Sequence, residues 1–311
     1  MRFNFFLFTI LCLNFLLTCF TLSAKPNTYS DQEFSEQHVQ SHQLIFSINA
    51  GVGVITNPLR GGDNVPLVVI PQIAFYAEDW FFDNGRLGYS LLQTSKHQFN
   101  VVSELNTESR FFIDWHPSNV FTLQSSSADS PFYLQAAEAS SVKNVNLNDL
   151  HKRHLALDTG LAYHYVSDHH GFSVQLLHDV TNVYNGVRGA LQWQYHTQLG
   201  PVNIKPSFGL NYKSAELNTY YYGLKDGETL LGHVEVASSW QPYAKIDGRL
   251  PLRDEYSVRF HLAYYDYSAI NDSPLLERDY SMTAFIGFER TFKYETSNGH
   301  FIFSATTYPP Q

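Results

Sequence analysis

The sequence predicts an all-β chain, folded as a transmembrane antiparallel β-barrel of about twelve strands, in a range of roughly ten to fourteen. Three observations carry that expectation. First, apolar and polar residues alternate from Val187 to Lys213 in two long stretches joined by the turn pair Gly200-Pro201. Val187, Gly189, Leu191, Trp193, Tyr195, Thr197 and Leu199 share one parity, and Arg188, Ala190, Gln192, Gln194, His196 and Gln198 the other. A period of two means extended chain with two faces. Soluble strands usually run to about 5–6 residues, whereas a tilted strand needs about 9–11 to cross a bilayer. Second, aromatic residues make up 15% of the chain, with 20 Tyr and 24 Phe, enough for two interfacial girdles. Third, a mean hydropathy of −0.23 excludes a polytopic helical membrane protein.

The elements follow in order. Residues 1–24 read as a secretory signal peptide, with Arg2, an apolar run from Phe5 to Leu22, and the small pair Ser23-Ala24 before Lys25. The run is long enough for an anchor helix, but Asn14 and threonines interrupt it and no basic stop-transfer flank follows. A lipoprotein reading of Cys19 is set aside because Thr18 stands where a small residue is needed. Both cysteines, Cys12 and Cys19, fall inside this leader. The mature chain would therefore have neither a disulfide scaffold nor cysteine-based catalysis. The formal charge is −9, and losing Arg2 leaves 19 basic against 29 acidic residues, or −10. That sign argues against a nucleic-acid partner, which calls for a basic face.

Residues 25–42 are polar and read as a mobile N-terminal segment. Strands are expected at Leu44 to Ile55, Leu67 to Tyr76, Arg86 to Leu92, Gln98 to Leu105 and Arg110 to Trp115. Asp83-Asn84-Gly85 marks a tight hairpin. The alternation weakens from His116 to Arg153, where long extracellular loops are expected around a short strand at Phe132 to Ala137. It resumes at Leu155 to Val166 and, past the turn Asp168-His169-His170-Gly171, at Phe172 to Val180. After Lys213 comes a polar-aromatic stretch, Leu217 to Leu224, then strands at Leu230 to Ser239, Pro242 to Leu252, Tyr256 to Tyr267 and Tyr280 to Phe292. The barrel would thus occupy residues 43–292. Residues 293–311 form either a periplasmic tail or an extra closing strand, because Asn298-Gly299 between two aromatic runs looks like a further hairpin.

Several short motifs then resemble a known family. Gly51-Val-Gly53, Pro58, Gly61-Gly62-Asp63, Pro66 and Pro71 ahead of Tyr76, and Asp79-Trp80-Phe81-Phe82 before Gly85 and Gly88 run in order. Tyr221-Tyr222-Gly223 follows in the middle, and Asp272-Ser273-Pro274-Leu275-Leu276 before Gly287-Phe288 near the end. Together they resemble the MltA-interacting protein (MipA) or OmpV family. The resemblance implies a β-barrel in the cell outer membrane. For some members it also implies a scaffold linking a lytic transglycosylase to a murein synthase. Chains of this family normally stop at the aromatic end of the closing strand, here Phe292.

Chemistry-bearing constellations are sparse. His164, Asp168, His169, His170, His178 and Asp179 form the densest set of metal-ligand types. Their spacing matches no ligand pattern, and Asp168 to Gly171 has turn composition, so a solvated loop is expected and no metal or cofactor. His151-Lys152-Arg153-His154 is a basic loop end that could touch lipopolysaccharide phosphates. No Gly-x-Ser-x-Gly elbow occurs; Gly88-Tyr-Ser90 and Gly171-Phe-Ser173 are fragments inside strands, so no catalytic residue is assigned. The expected lumen face carries Arg188, Lys205, Lys245, Asp247, Arg249, Arg259, Glu235 and Asp158. Such a set makes either an ion-paired plug or a narrow pore for small polar or anionic solutes. Three functions follow: a structural scaffold of the outer membrane, a narrow channel and, least supported, a lipid-modifying enzyme.

Overall fold

Period-two segments bury one face only, and a sheet of them in lipid must close so that no backbone edge is left unpaired. The computed structural model describes residues 43–62, 64–112, 153–229, 232–253, 255–297 and 300–303, and they form such a closed sheet. Its wall follows chain order through β1 (Gln43–Ile55), β2 (Val65–Tyr76), β3 (Trp80–Asp83), β4 (Arg86–Gln93), β5 (His97–Leu105), β6 (Leu157–Val166) and β7 (His170–Asp179). It continues through β8 (Val187–Tyr195), a short β9 (Thr197–Leu199), β10 (Val202–Lys213), β11 (Ser239–Arg253), β12 (Tyr256–Asp266) and β13 (Tyr280–Ser297). Since β9 continues the line of β8 along β10, twelve antiparallel strands ring the lumen. The seam joins β1 to β13 in unbroken register from Gln43↔Glu295 to Ile55↔Thr283.

Gly51 makes that seam possible. A Cβ at Gly51 would lie 2.1 Å from the carbonyl oxygen of Ile286 on β13, so only glycine allows this approach. Another local device sits at β3, a strand of four residues that the alternation did not reveal. Its Asn84-Gly85 turn has positive φ at both positions, 48° and 89°, the hairpin geometry these residues favour. Asn84 then extends the ladder of β2: its N–H donates to Ile73 O at 2.9 Å, and its Oδ1 accepts from Ile73 N at 3.0 Å.

Connections are short at one end (77–79, 94–96, 167–169, 200–201, 254–255) and long at the other (56–64, 106–156, 180–186, 214–238, 267–279). Barrels of this kind keep short turns in the periplasm and long loops outside, so β1 begins and β13 ends at the periplasmic end. Outward side chains form an apolar band that includes Val174, Leu176, Leu191, Leu210, Leu262, Ile286 and Phe288. Aromatic pairs flank it: Trp80–Tyr89 and Trp193–Phe208 toward the periplasm, Tyr212–Trp240 and Tyr264–Tyr280 toward the outside.

Two expected strands need correction. Of the expected strand Leu230 to Ser239, residues 232–238 run as a loop with a single bridge, Leu224↔Val234, Ser239 opens β11, and the first two residues lie outside the described set. The polar-aromatic stretch before it, for which the sequence predicts no element, forms a helix, α1 (Ala215–Tyr222), whose Asn218 and Thr219 side chains bond the backbone at Val236 and Ala237. At Arg110 to Trp115 the described part belongs to a 3-10 turn, Glu108–Phe111, rather than a strand. The leader, the N-terminal segment and the short strand at Phe132 to Ala137 lie outside the described residues. Past the seam, β13 runs on into a hairpin with β14 (His300–Phe303), which pairs only with residues 294–297 and takes no place in the ring.

Candidate functional site

The lumen is lined by polar side chains that come from the parity opposite the lipid face. On β4 to β8 they form a continuous network. Arg86 pairs with Glu104 at 3.1 Å and also reaches Gln175. Arg188 pairs with Glu104 at 2.6 Å and with Asp158. Asp158 further accepts from Asn106 at 2.8 Å and from the Tyr184 hydroxyl at 2.7 Å. On the facing wall Glu289 receives Arg249 and Arg259, each at 3.1 Å, and the Ser257 hydroxyl at 2.8 Å. Arg259 also donates to Gln72 on β2 at 3.1 Å, and His261 pairs with Asp247 at 2.8 Å. The Tyr243 hydroxyl donates to Gln192 at 2.8 Å.

Several of these contacts bridge strands three places apart in the ring, such as Arg188–Glu104 and Arg259–Gln72. Asp83 on β3 and Lys205 on β10, six places apart, still act on each other electrostatically. Buried carboxylates and guanidinium groups are tolerated when paired and hydrogen-bonded, and here the pairing ties wall to wall.

The outer mouth is capped. Ser214 starts α1, its hydroxyl accepting from Leu217 N, and the helix points Leu217, Tyr221 and Tyr222 into an apolar cluster with Leu59, Tyr184, Tyr243, Tyr265, Tyr267 and Leu275. Arg153 and Glu228, both fully buried in their side chains, pair at 2.6 Å. Lys213 pairs with Glu108 at 2.7 Å beneath the rings of Tyr222 and Tyr267. Burial raises the Tyr221 hydroxyl above the usual phenol range. Burial, with Arg153 nearby, lowers Lys225, while Glu228 works against that shift.

Of the expected lumen residues, Arg188, Lys205, Lys245, Asp247, Arg249, Arg259 and Asp158 all lie on strands at the inward parity. Glu235 does not. It sits in the loop after α1, 81% exposed in its side chain and 3.6 Å from His233. Arg86, Glu104, His261 and Glu289 were missed, although parity alone places each opposite an outward neighbour such as Leu87 or Phe288. The histidine-aspartate set is scattered: His164 faces the lumen, Asp168, His169 and His170 are exposed at a periplasmic turn, and His178 points outward. Asp179 instead accepts from the backbone of Thr181, Tyr184 and Asn185. Arg153, expected as a basic loop end, is buried at 1% exposure; His151 and Lys152 lie outside the described residues.

Residues 48–292 match the family described as MltA-interacting protein MipA. The chain belongs to the MipA family. The MltA-interacting protein of Escherichia coli (strain K12) is 23% identical over 253 residues, covering 80% of this chain and 90% of that one. Outer membrane protein Omp26La of Vibrio anguillarum is 27% identical over 208 residues, covering 66% and 78%. Outer membrane protein OmpV of Vibrio cholerae serotype O1 is 28% identical over 158 residues, covering 50% and 58%. A solved FadL homologue of Pseudomonas aeruginosa overlaps 84% of this chain and 91% of its own at 7% identity and a TM-score of 0.36, too loose a likeness to inform function. This MipA-family chain is an outer-membrane β-barrel.

Proposed function

We propose that this barrel is a structural and interaction protein of the outer membrane, not an enzyme, which presents its periplasmic turns and chain ends to enzymes of murein turnover. The observation that carries this reading is the occupied lumen: ion pairs tie its walls together and α1 with its aromatic cluster covers the mouth. With the interior so used, the surfaces remain for work. The outward band contacts outer-membrane lipid, and lipopolysaccharide surrounds the outer loops. The periplasmic turns carry exposed Glu78, Asp79, Asp168 and Glu255, which suit a partner with a basic face. The E. coli relative is named for an interaction with MltA, which by analogy makes a lytic transglycosylase the partner; the family resemblance adds a murein synthase. Affinity capture of envelope proteins in mild detergent tests this, with recovery of such enzymes expected from the native chain and reduced for the Glu78→Lys/Asp79→Lys variant. Equal recovery by an unrelated barrel of similar size would remove the proposal. A narrow channel for small polar solutes is the second reading, favoured by unbalanced positive charge in the periplasmic half of the lumen. Stepwise conductance of the purified protein in a planar bilayer would support it.

A further inference from the structure

The two lumen walls differ in charge balance. Arg86 and Arg188 on β4 and β8 meet Glu104 and Asp158, so that side is neutral. On β10 to β12 the register sets Lys205, Asp247 and His261 side by side in one row, with Lys245 in the next row outward and Arg249 and Arg259 in the next row toward the periplasm. Glu289 is shared by the two arginines, and Asp247 is committed to His261. Four basic side chains (Lys205, Lys245, Arg249, Arg259) thus face two acidic ones (Asp247, Glu289), and with Asp83 across the lumen the basic groups still outnumber the acidic ones by one. Among the described residues Lys205 makes neither an ion pair nor a hydrogen bond; it feels Asp247, Asp83, Lys245, Arg259 and His196 at a distance. An enclosed ammonium with all three donors unused is costly unless something supplies the missing negative charge.

We propose that Lys205, with Lys245 and Arg259, holds a small oxyanion in the lumen, the carboxylate or phosphate group of a free solute. Lysine supplies a mobile point charge and arginine a planar fork, a pairing suited to such oxygens. Lys205 lies four positions from Pro201 in the β9–β10 turn, so the anion enters from the periplasmic end, away from the capped mouth. This goes beyond the docking role and does not depend on it, since no partner enzyme takes part in the measurement.

Isothermal titration of sodium phosphate, and separately of sodium acetate, into the full-length protein in detergent micelles reads the site, with sodium chloride holding the ionic strength constant. Saturable binding of one or both is expected. Lys205→Gln should weaken it tenfold or more, and Lys96→Gln, at an exposed periplasmic turn, should leave it unchanged. Where Lys205→Gln does not fold, Asp247→Asn decides instead: removing the neighbouring carboxylate should tighten binding several-fold. No saturable binding by the native chain, equal affinity in Lys205→Gln, or no gain in Asp247→Asn when that variant decides, overturns the proposal.

Discussion

Leu191 and Gln192 are consecutive residues that meet different solvents. Leu191 is 40% exposed on the lipid side, and Gln192 is 8% exposed in the lumen under the Tyr243 hydroxyl. Leu191→Arg sets a cation in hydrocarbon and should cost roughly 2–4 kcal/mol. Gln192→Ala loses two neutral hydrogen bonds, to Tyr243 and Gln194, and should cost less, about 1–2 kcal/mol. Urea unfolding in lipid vesicles measures both, and equal costs would mean the face assignment is wrong by one residue. A second contrast lies on β13. Glu289→Gln leaves Arg259 buried without its carboxylate and should cost about 3 kcal/mol. Glu255→Gln breaks a pair with Arg290 at 3.5 Å in which both side chains are nearly half exposed, and should change stability by under about 1 kcal/mol. The parity that separates Leu191 from Gln192 is readable in the sequence. That Glu289 serves two arginines from β11 and β12 is not, because those strands are neighbours only once the sheet is ordered.

At the scale of elements, α1 shows how local signals compete. Tyr220, Tyr221 and Tyr222 suggest extended chain, since aromatic residues favour strands. Yet Ser214 is a helix-capping residue, and Leu217, Tyr221 and Leu224 recur at helical spacing. The helix wins because that stripe has an apolar cluster to enter at the barrel mouth. Ser214→Ala removes the cap and should destabilise α1 by about 1 kcal/mol. Hydrogen exchange should then quicken at 215–222 while the strands keep their protection; quickening spread evenly over the barrel would contradict this. The β1–β13 seam makes the opposite case, where sequence spacing says little. Gly51→Val should block barrel assembly, since its side chain would enter the space held by Ile286 O. Loss of the heat-modifiable electrophoretic form checks it.

For the whole molecule, orientation and closure are the testable properties. A cysteine in place of Gly61 or Asp272 lies on the long loops, and one in place of Ser95 lies on a short turn. A membrane-impermeant maleimide applied to intact cells should label the first two and spare the third; the reverse pattern would invert the barrel. The seam is complete from residue 283 to 295, and β14 pairs with residues 294–297 of β13 alone, not with β1. Removing residues 298–311 should therefore leave a folded barrel in the outer membrane. Degradation of that truncated chain would show that the hairpin is needed for closure or assembly.

Alternation by itself determined the all-β class, the transmembrane barrel, which face meets lipid and most strand positions, because parity along one strand is a local property. The tertiary structure alone decided three things. It selected the strands at the seam, where Gly51 lets β13 approach. It turned scattered lumen charges into a paired network on one wall and a cation surplus on the other, since charge balance depends on neighbours distant in sequence. It also folded the outer loops into a cap, where α1 and the Arg153–Glu228 pair are stable only because residues from several loops exclude water together.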